Sequence, residues 1–208
     1  MSTISIIGTG NMARTIAARA IASGNTVEVM GRDGSKATAL AKTLGDGATT
    51  GEWGAVPAGD IVIVAVLFDG VVPAVTRYGA ALAGKTIVDI SNPFNSTFDG
   101  LAHDGEQTSI AQKVAEVAPS DATVVKAFNT VFRDVLETGH PDIFLAGDNP
   151  QAKASVQRFI KSLALRPLDV GDLKMAHWLE GAAVLTVALA THGAAHGNFA
   201  LTATEFQP

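Results

Sequence analysis

Short apolar runs alternate along the chain with longer stretches in which alanine and leucine recur among polar residues at helical spacing. Strands are predicted at residues 3–7, 26–30, 60–66, 86–90, 123–127, 143–146 and 166–169, and helices at 11–23, 35–44, 70–82, 108–117, 150–162 and from 173 to about 196. Strand followed by helix, repeated, is the pattern of successive βαβ units around a parallel sheet. Runs such as 61–66 are apolar on both faces, as a strand must be when helices cover both sides of its sheet. The pattern therefore predicts a Rossmann-like, doubly wound α/β fold, with a mainly parallel sheet, flanking helices and a long C-terminal helix, in one domain over 1–208. That last helix is apolar nearly all round, so it must be buried, either on its own sheet or in a contact between two copies. A homodimer is the expectation.

The first strand runs into Gly8-Thr9-Gly10-Asn11-Met12-Ala13, a G-x-G-x-x-A loop. Gly8 permits a tight turn, Gly10 removes the side chain that would block a pyrophosphate, and Ala13 lets helix and strand pack closely. A helix beginning at Asn11 adds amide donors and a favourable dipole for the anion. The second strand ends at Met30-Gly31, where an NAD site usually carries an acid for the ribose diol. Arg32, Ser35 and Lys36 follow instead, and a guanidinium, a hydroxyl and an ammonium suit a 2′-phosphate. The reading is NADP, with Asp33 the residue that would favour NAD.

Ligands of open parallel sheets lie beyond the carboxyl ends of the strands. Those exits are Ala65-Val66-Leu67-Phe68-Asp69, Asp89-Ile90-Ser91-Asn92-Pro93-Phe94-Asn95 and Lys126-Ala127-Phe128-Asn129-Thr130. Asn92 and Asn129 can hydrogen-bond a carboxamide, and Pro93 with Phe94 offers a rigid apolar wall for a ring. Lys126 reads as a strand-end lysine reaching solvent, with a base or anion clamp as the sharper alternative. No paired acid and base of the kind used by hydroxy-acid dehydrogenases is evident, so no catalytic side chain is assigned. Hydride exchange between two stacked redox rings needs none, only positioning and exclusion of water.

At 208 residues, 47% apolar and 17% charged, the chain has material for a large core. A net charge of −5 argues against nucleic acid or an anionic membrane as partner, and the absence of cysteine removes disulfides and thiolate chemistry. The N-terminus lacks a basic segment before an apolar run, and the apolar stretch 181–190 is short of the roughly 20 residues a membrane span needs. A cytoplasmic setting is expected. His192 and His196 have the i, i+4 spacing of metal ligands, but no third ligand accompanies them, and Asp69, Asp99 and Asp104 are scattered through loops, so no metal site is assigned.

Several stretches together resemble the NADP oxidoreductases that work with the deazaflavin coenzyme F-420. They are Gly8–Met12, Gly31-Arg32 with Lys36, Asp89–Pro93, Val125–Thr130, Ala146–Asn149 and Pro167–Gly171 before a helix containing Leu179-Glu180. The oxidoreductase domain of STEAP-type metalloreductases is similar through the same Val-Lys-x-Phe-Asn stretch. The resemblance implies NADP on the Gly8 loop and Arg32, with F-420 or a flavin docked against the nicotinamide as a small-molecule redox acceptor. It places Ala65, Val66, Leu67, Asn92, Pro93, Ala127, Phe128 and Asn129 around the cofactor, and Phe94, Asn129 and Val131 toward the acceptor. Ala13 stands at the third glycine position, and Leu67 where the family usually has proline. Hydride transfer from NADPH to F-420, reduction of a flavin or ferric chelate, and a non-catalytic NADPH sensor are the three readings. Pyrroline-carboxylate reductases and β-hydroxyacid dehydrogenases share the loop but add a helical substrate domain for which 208 residues leave no room.

Overall fold

The computed structural model describes residues 2–102, 108–194 and 197–206. In chain order the elements are β1 (Thr3–Ile7), α1 (Asn11–Ala22), β2 (Thr26–Met30), α2 (Gly34–Leu44), β3 (Ala48–Gly51), β4 (Ile61–Val64), α3 (Phe68–Tyr78), β5 (Thr86–Asp89), α4 (Ile110–Val117), β6 (Thr123–Ala127), α5 (Arg133–Thr138), β7 (Asp142–Gly147), α6 (Pro150–Ser162), β8 (Arg166–Asp169) and α7 (Ala176–Thr191). Two single 3-10 turns, Gly79–Leu82 and Leu173–Met175, follow α3 and precede α7.

The strands form one sheet in the order β3-β2-β1-β4-β5-β6-β7-β8. All neighbours are parallel except β6 and β7, which run antiparallel, so the sheet is a doubly wound Rossmann-like one with a reversed pair at one edge. Alternation along each strand feeds two cores. Ile4, Ile6, Ile61 and Ile63 point to the layer of α1, α2 and α6, while Ile7, Val62 and Val64 point to that of α3 and α4. The chain winds one way from β1 to β2 and β3, then the other way from β1 to β4 and β5. The loops leaving β1 and β4 therefore diverge, and a crevice opens between them.

Two elements lie outside the sequence expectation. β3 reads Ala48-Thr49-Thr50-Gly51, a half-exposed edge strand whose apolar content is too low to show alternation. α5 has only six residues, fewer than two turns, so no apolar stripe can repeat in it. The predicted helix 70–82 starts earlier, at Phe68, and yields to a 3-10 turn at Gly79, whose φ of +46° ends the α-helix.

The last helix departs from expectation in its burial. Ala176, Leu179, Glu180, Ala183 and Thr186 of α7 are buried, whereas Trp178 is 67% and Leu185 54% exposed, because no described part of the chain covers that side. Leu173–Thr191 is, among the described residues, the one helix long and apolar enough by length and composition to cross a membrane. Its buried face belongs to the fold.

Beyond α7 the chain returns to the reversed edge of the sheet. Asp142 at the start of β7 accepts two hydrogen bonds from the Arg166 guanidinium (2.7 and 2.5 Å), one from the Thr202 hydroxyl (2.7 Å) and one from the Ala203 amide (3.1 Å). The Arg166 hydrogen bonds outweigh the opposing effect of burial and, with smaller help from Thr202 and Ala203, lower the carboxyl pKa from 3.8 to about 2. A depressed folded-state pKa means stability that is complete above the ordinary value and lost as pH falls through the lower one. Acid titration of the urea midpoint should therefore show a decline between pH 4 and pH 2, and Asp142→Asn should lower the midpoint at neutral pH while flattening that decline.

Candidate functional site

The crevice between the β1 and β4 exits is a groove of about 570 Å³. Gly8, Thr9, Gly10, Asn11 and Met12 form one wall, Arg32 and Lys36 close one end, and Ala65, Val66, Leu67, Asn92 and Phe94 line the other. The first wall depends on an unusually close backbone approach. Gly8 sits at φ +137°, donates its amide to Met30 O at 2.8 Å, and would place a Cβ 2.2 Å from Ala65 O. Only glycine allows the β1 turn to pass beside β4. Gly10 differs, since its backbone is ordinary and a Cβ there would meet nothing within 4 Å. The space over Gly10 is the groove itself.

Helix termini add the electrostatics. α2, α4 and α6 have their first amides capped by Asp33, Ser109 and Asn149, whereas α1 and α3, which begin at the groove with Asn11 and Phe68, have no side-chain cap. The first amides of α1, beside the glycine loop, are open to an anion. At the Arg32 end, Asp33 lines the groove and caps α2. Its carboxylate accepts from the Ser35 hydroxyl (2.5 Å), the Ser35 amide (3.0 Å) and the Lys36 amide (3.3 Å), and these bonds hold its pKa below the ordinary carboxylate range. Ser35 is thus spent on the α2 cap and does not line the groove. Arg32 is exposed and forms no ion pair among the described residues. The groove suits a dinucleotide carrying a 2′-phosphate: glycine backbone and bare α1 amides for the pyrophosphate, and a guanidinium unpaired among the described residues for the extra phosphate.

At the opposite end the groove has no titratable side chain among the described residues. Ser91 contributes a buried hydroxyl without a hydrogen-bond partner, which the sequence reading passed over; a polar residue two positions after the end of β5 was the available signal. Trp53, just after β3, also lines the groove and packs edge-on against Tyr78 at 5.2 Å; the unrecognised strand hid it. Leu67, 81% exposed, stands on the rim, and Phe94 packs at 5.7 Å against Phe98, itself 56% exposed. A larger recess of about 870 Å³ lies apart, between α1 and α5, lined by Arg14, Arg19 and Arg133.

Residues 3–93 match the family described as NADP oxidoreductase, coenzyme F-420-dependent. The matched stretch runs from β1 through β5 to the loop that follows it. It is 32% identical over 181 residues to the metalloreductase STEAP3 of Rattus norvegicus, covering 85% of this chain and 35% of that protein, so it spans about a third of that relative's length. An Arthrobacter protein described as an F-420-dependent NADP reductase has the same fold, with a TM-score of 0.81, 24% identity and coverage of 92% of this chain and 95% of that one. The hypothetical protein SMa0349 of Sinorhizobium meliloti is 30% identical, with a TM-score of 0.73 over 83% of this chain and 86% of that one.

The β6 exit departs most from the sequence expectation. Lys126 is not a solvent-reaching lysine: it is fully buried, and its Nζ donates to Asp89 Oδ2 (2.7 Å), Glu180 Oε1 (2.8 Å) and Ser91 O (2.6 Å). Burial alone would lower the lysine pKa, but the two carboxylates outweigh it and hold the ammonium form; burial raises Glu180, against the pull of Lys126. Asn129 and Asn92 are turned on each other rather than left free for a ligand. Asn129 Nδ2 donates to Asn92 Oδ1 (2.9 Å) and Leu179 O (2.9 Å), and Asn92 Nδ2 donates to Asn129 O (2.7 Å). Asn92 remains on the groove wall, while Pro93, Ala127, Phe128, Asn129 and Val131 are buried outside that wall. The cause is a turn at Phe128, whose φ of +61° sends the chain inward, where its ring packs against Phe159 at 6.3 Å. Such a conformation costs a non-glycine residue about 1–3 kcal/mol and persists only when its surroundings enforce it.

His192 follows the end of α7. His196 and Asp104 lie outside the described residues, and Asp69 and Asp99 are not among the residues lining the groove.

The two loop glycines give separable predictions. Gly8→Ala, which must displace backbone, should cost about 2–4 kcal/mol in urea unfolding. Gly10→Ala should leave stability within about 1 kcal/mol of the parent, yet weaken dinucleotide binding at least about tenfold in a fluorescence titration, because its methyl enters the groove.

Proposed function

We propose that this chain transfers hydride between NADPH and the deazaflavin coenzyme F-420, by positioning rather than by acid–base chemistry. The observation that carries this is the distribution of charge along the groove. Arg32, Asp33 and Lys36 stand at one end, whereas the far end is built from Ala65, Val66, Leu67, Ile90, Ser91, Asn92 and Phe94. In this reading Gly8, Thr9, Gly10, Asn11 and Met12 hold the pyrophosphate, and Arg32 with Lys36 holds the 2′-phosphate. Val66 and Phe94 flank the nicotinamide, and the Ser91 hydroxyl bonds its carboxamide. When bound, NADPH supplies the hydride and leaves as NADP⁺, while the acceptor gains that hydride and a proton from solvent. Leu67, Phe94 and Phe98 give a planar acceptor an apolar surface that keeps water from the reacting face.

The family description supports F-420 as acceptor. The likeness to STEAP3 supports a second reading, in which a flavin or a ferric chelate accepts the electrons. Both readings have a small-molecule acceptor and a cytoplasmic setting, and in both the exposed strip Trp178, Leu185 and Leu189 of α7 is where two copies meet.

Stopped-flow mixing of protein, NADPH and each acceptor distinguishes them. Rapid loss of NADPH absorbance with F-420 and little with FMN or ferric citrate is expected; turnover with FMN alone would replace the first reading by the second. Arg32→Ala should weaken NADPH binding by about tenfold or more and leave NADH binding within about threefold, since only the former has the 2′-phosphate.

A further inference from the structure

We propose that Glu180 and Lys126 are positioning residues for hydride transfer, through which helix α7 sets the shape of the far end of the groove. The proposal rests on the hydride-transfer reading above and adds residues that do not touch the groove.

Three separate elements meet at the Lys126 ammonium: Asp89 ends β5, Lys126 lies near the end of β6, and Glu180 is one turn into α7. The same ammonium holds the carbonyl of Ser91, and Asp89 Oδ1 accepts the Ser91 amide at 2.9 Å. The backbone of Ser91, a residue of the groove wall, is therefore fixed on both sides by this cluster. A fourth element joins through the Ile110 amide, which donates to Glu180 Oε1 at 3.0 Å and anchors the start of α4. Beside Glu180, Leu179 O accepts from Asn129, whose amide also grips Asn92. α7 thus holds both strand-exit loops at once. Between Lys126 and Asn129 stands Phe128 in the left-handed region, a conformation that needs such restraint.

One feature sets this cluster apart from a plain structural ion pair. One ammonium faces two carboxylates, all at most 1% exposed, so Asp89 alone would balance the lysine. Glu180 is surplus to charge balance and instead supplies geometry: a single oxygen shared by Lys126 and Ile110.

Glu180→Leu leaves the Lys126–Asp89 pair neutral as a whole, and Glu180→Gln keeps the shared acceptor oxygen without the charge. In the ligand-free protein, amide exchange over residues 90–94 and 128–131 should accelerate about tenfold in Glu180→Leu, with the Gly8–Met12 loop unchanged. NADPH affinity should stay within about threefold while the hydride-transfer rate falls at least about tenfold, and Glu180→Gln should restore both exchange and rate to within about threefold of the parent. Unchanged exchange and rate in Glu180→Leu would overturn the proposal. So would equal behaviour of Leu and Gln, which would assign the effect to charge, or a uniform acceleration over the whole sheet, which would assign it to stability. The exchange measurement needs no NADPH, so a failure of the parent protein to oxidise NADPH would count against the function and not against this coupling.

Discussion

The architecture depends on one close approach, the passage of the β1 turn beside the end of β4. Gly8 lies so near Ala65 O that no side chain fits, and its amide closes onto Met30 of β2. Three neighbouring strand ends are thereby fixed where the winding of the sheet reverses. The rest follows in order. Helix α1 starts at the crevice with its first amides uncapped, α3 begins across from it, and the strand order places the β5 exit next in line.

Charge is then divided between two ends that obey different physics. At the Arg32 end the cation is exposed and unpaired among the described residues, and the nearby carboxylate is consumed by the α2 cap. The overall charge of −5 is no obstacle there, because recognition is local and the contacts are direct. Toward the other end, charge is present but locked behind the groove wall, in the Lys126, Asp89 and Glu180 cluster, where desolvation makes each partner depend on the others. A groove whose far end is lined, among the described residues, by no acid or base and is backed by a rigid support is suited to holding two rings in register, and poorly suited to moving protons to a substrate.

Much of this was legible from the residues. The G-x-G-x-x-A loop, the strand exits and the alternation of elements depend on local rules that short stretches obey, so β1, β2, β6 and α6 were readable within a residue. Arg32 and Lys36 could be placed together at one end of the groove because they are near neighbours in sequence. β3 and α5 escaped because neither has enough apolar positions to establish a period, and Trp53 went with β3. Lys126 was misread, and the pairing of Asn92 with Asn129 missed, for a different reason. A lysine or asparagine at a strand end looks the same whether it meets solvent or a partner; for Lys126 a deciding partner, Glu180, lies 54 residues away in sequence, and for Asn92 it is Asn129, 37 residues away. The long helix was half legible: its apolar content showed that it must pack, but only the fold shows that one side is covered and the other, with Trp178 and Leu185, is open.

The central claim is that two redox rings meet directly at the end of the groove lined by Ser91, Asn92 and Phe94. It is tested by single turnover with NADPH deuterated at C4, in ordinary water, with F-420 as acceptor and mass analysis of the reduced deazaflavin carbon. Direct contact predicts that the deuterium on one face of the nicotinamide arrives on that carbon without dilution by solvent. Hydrogen from water at that carbon would contradict it, as would an absence of transfer when both ligands are bound.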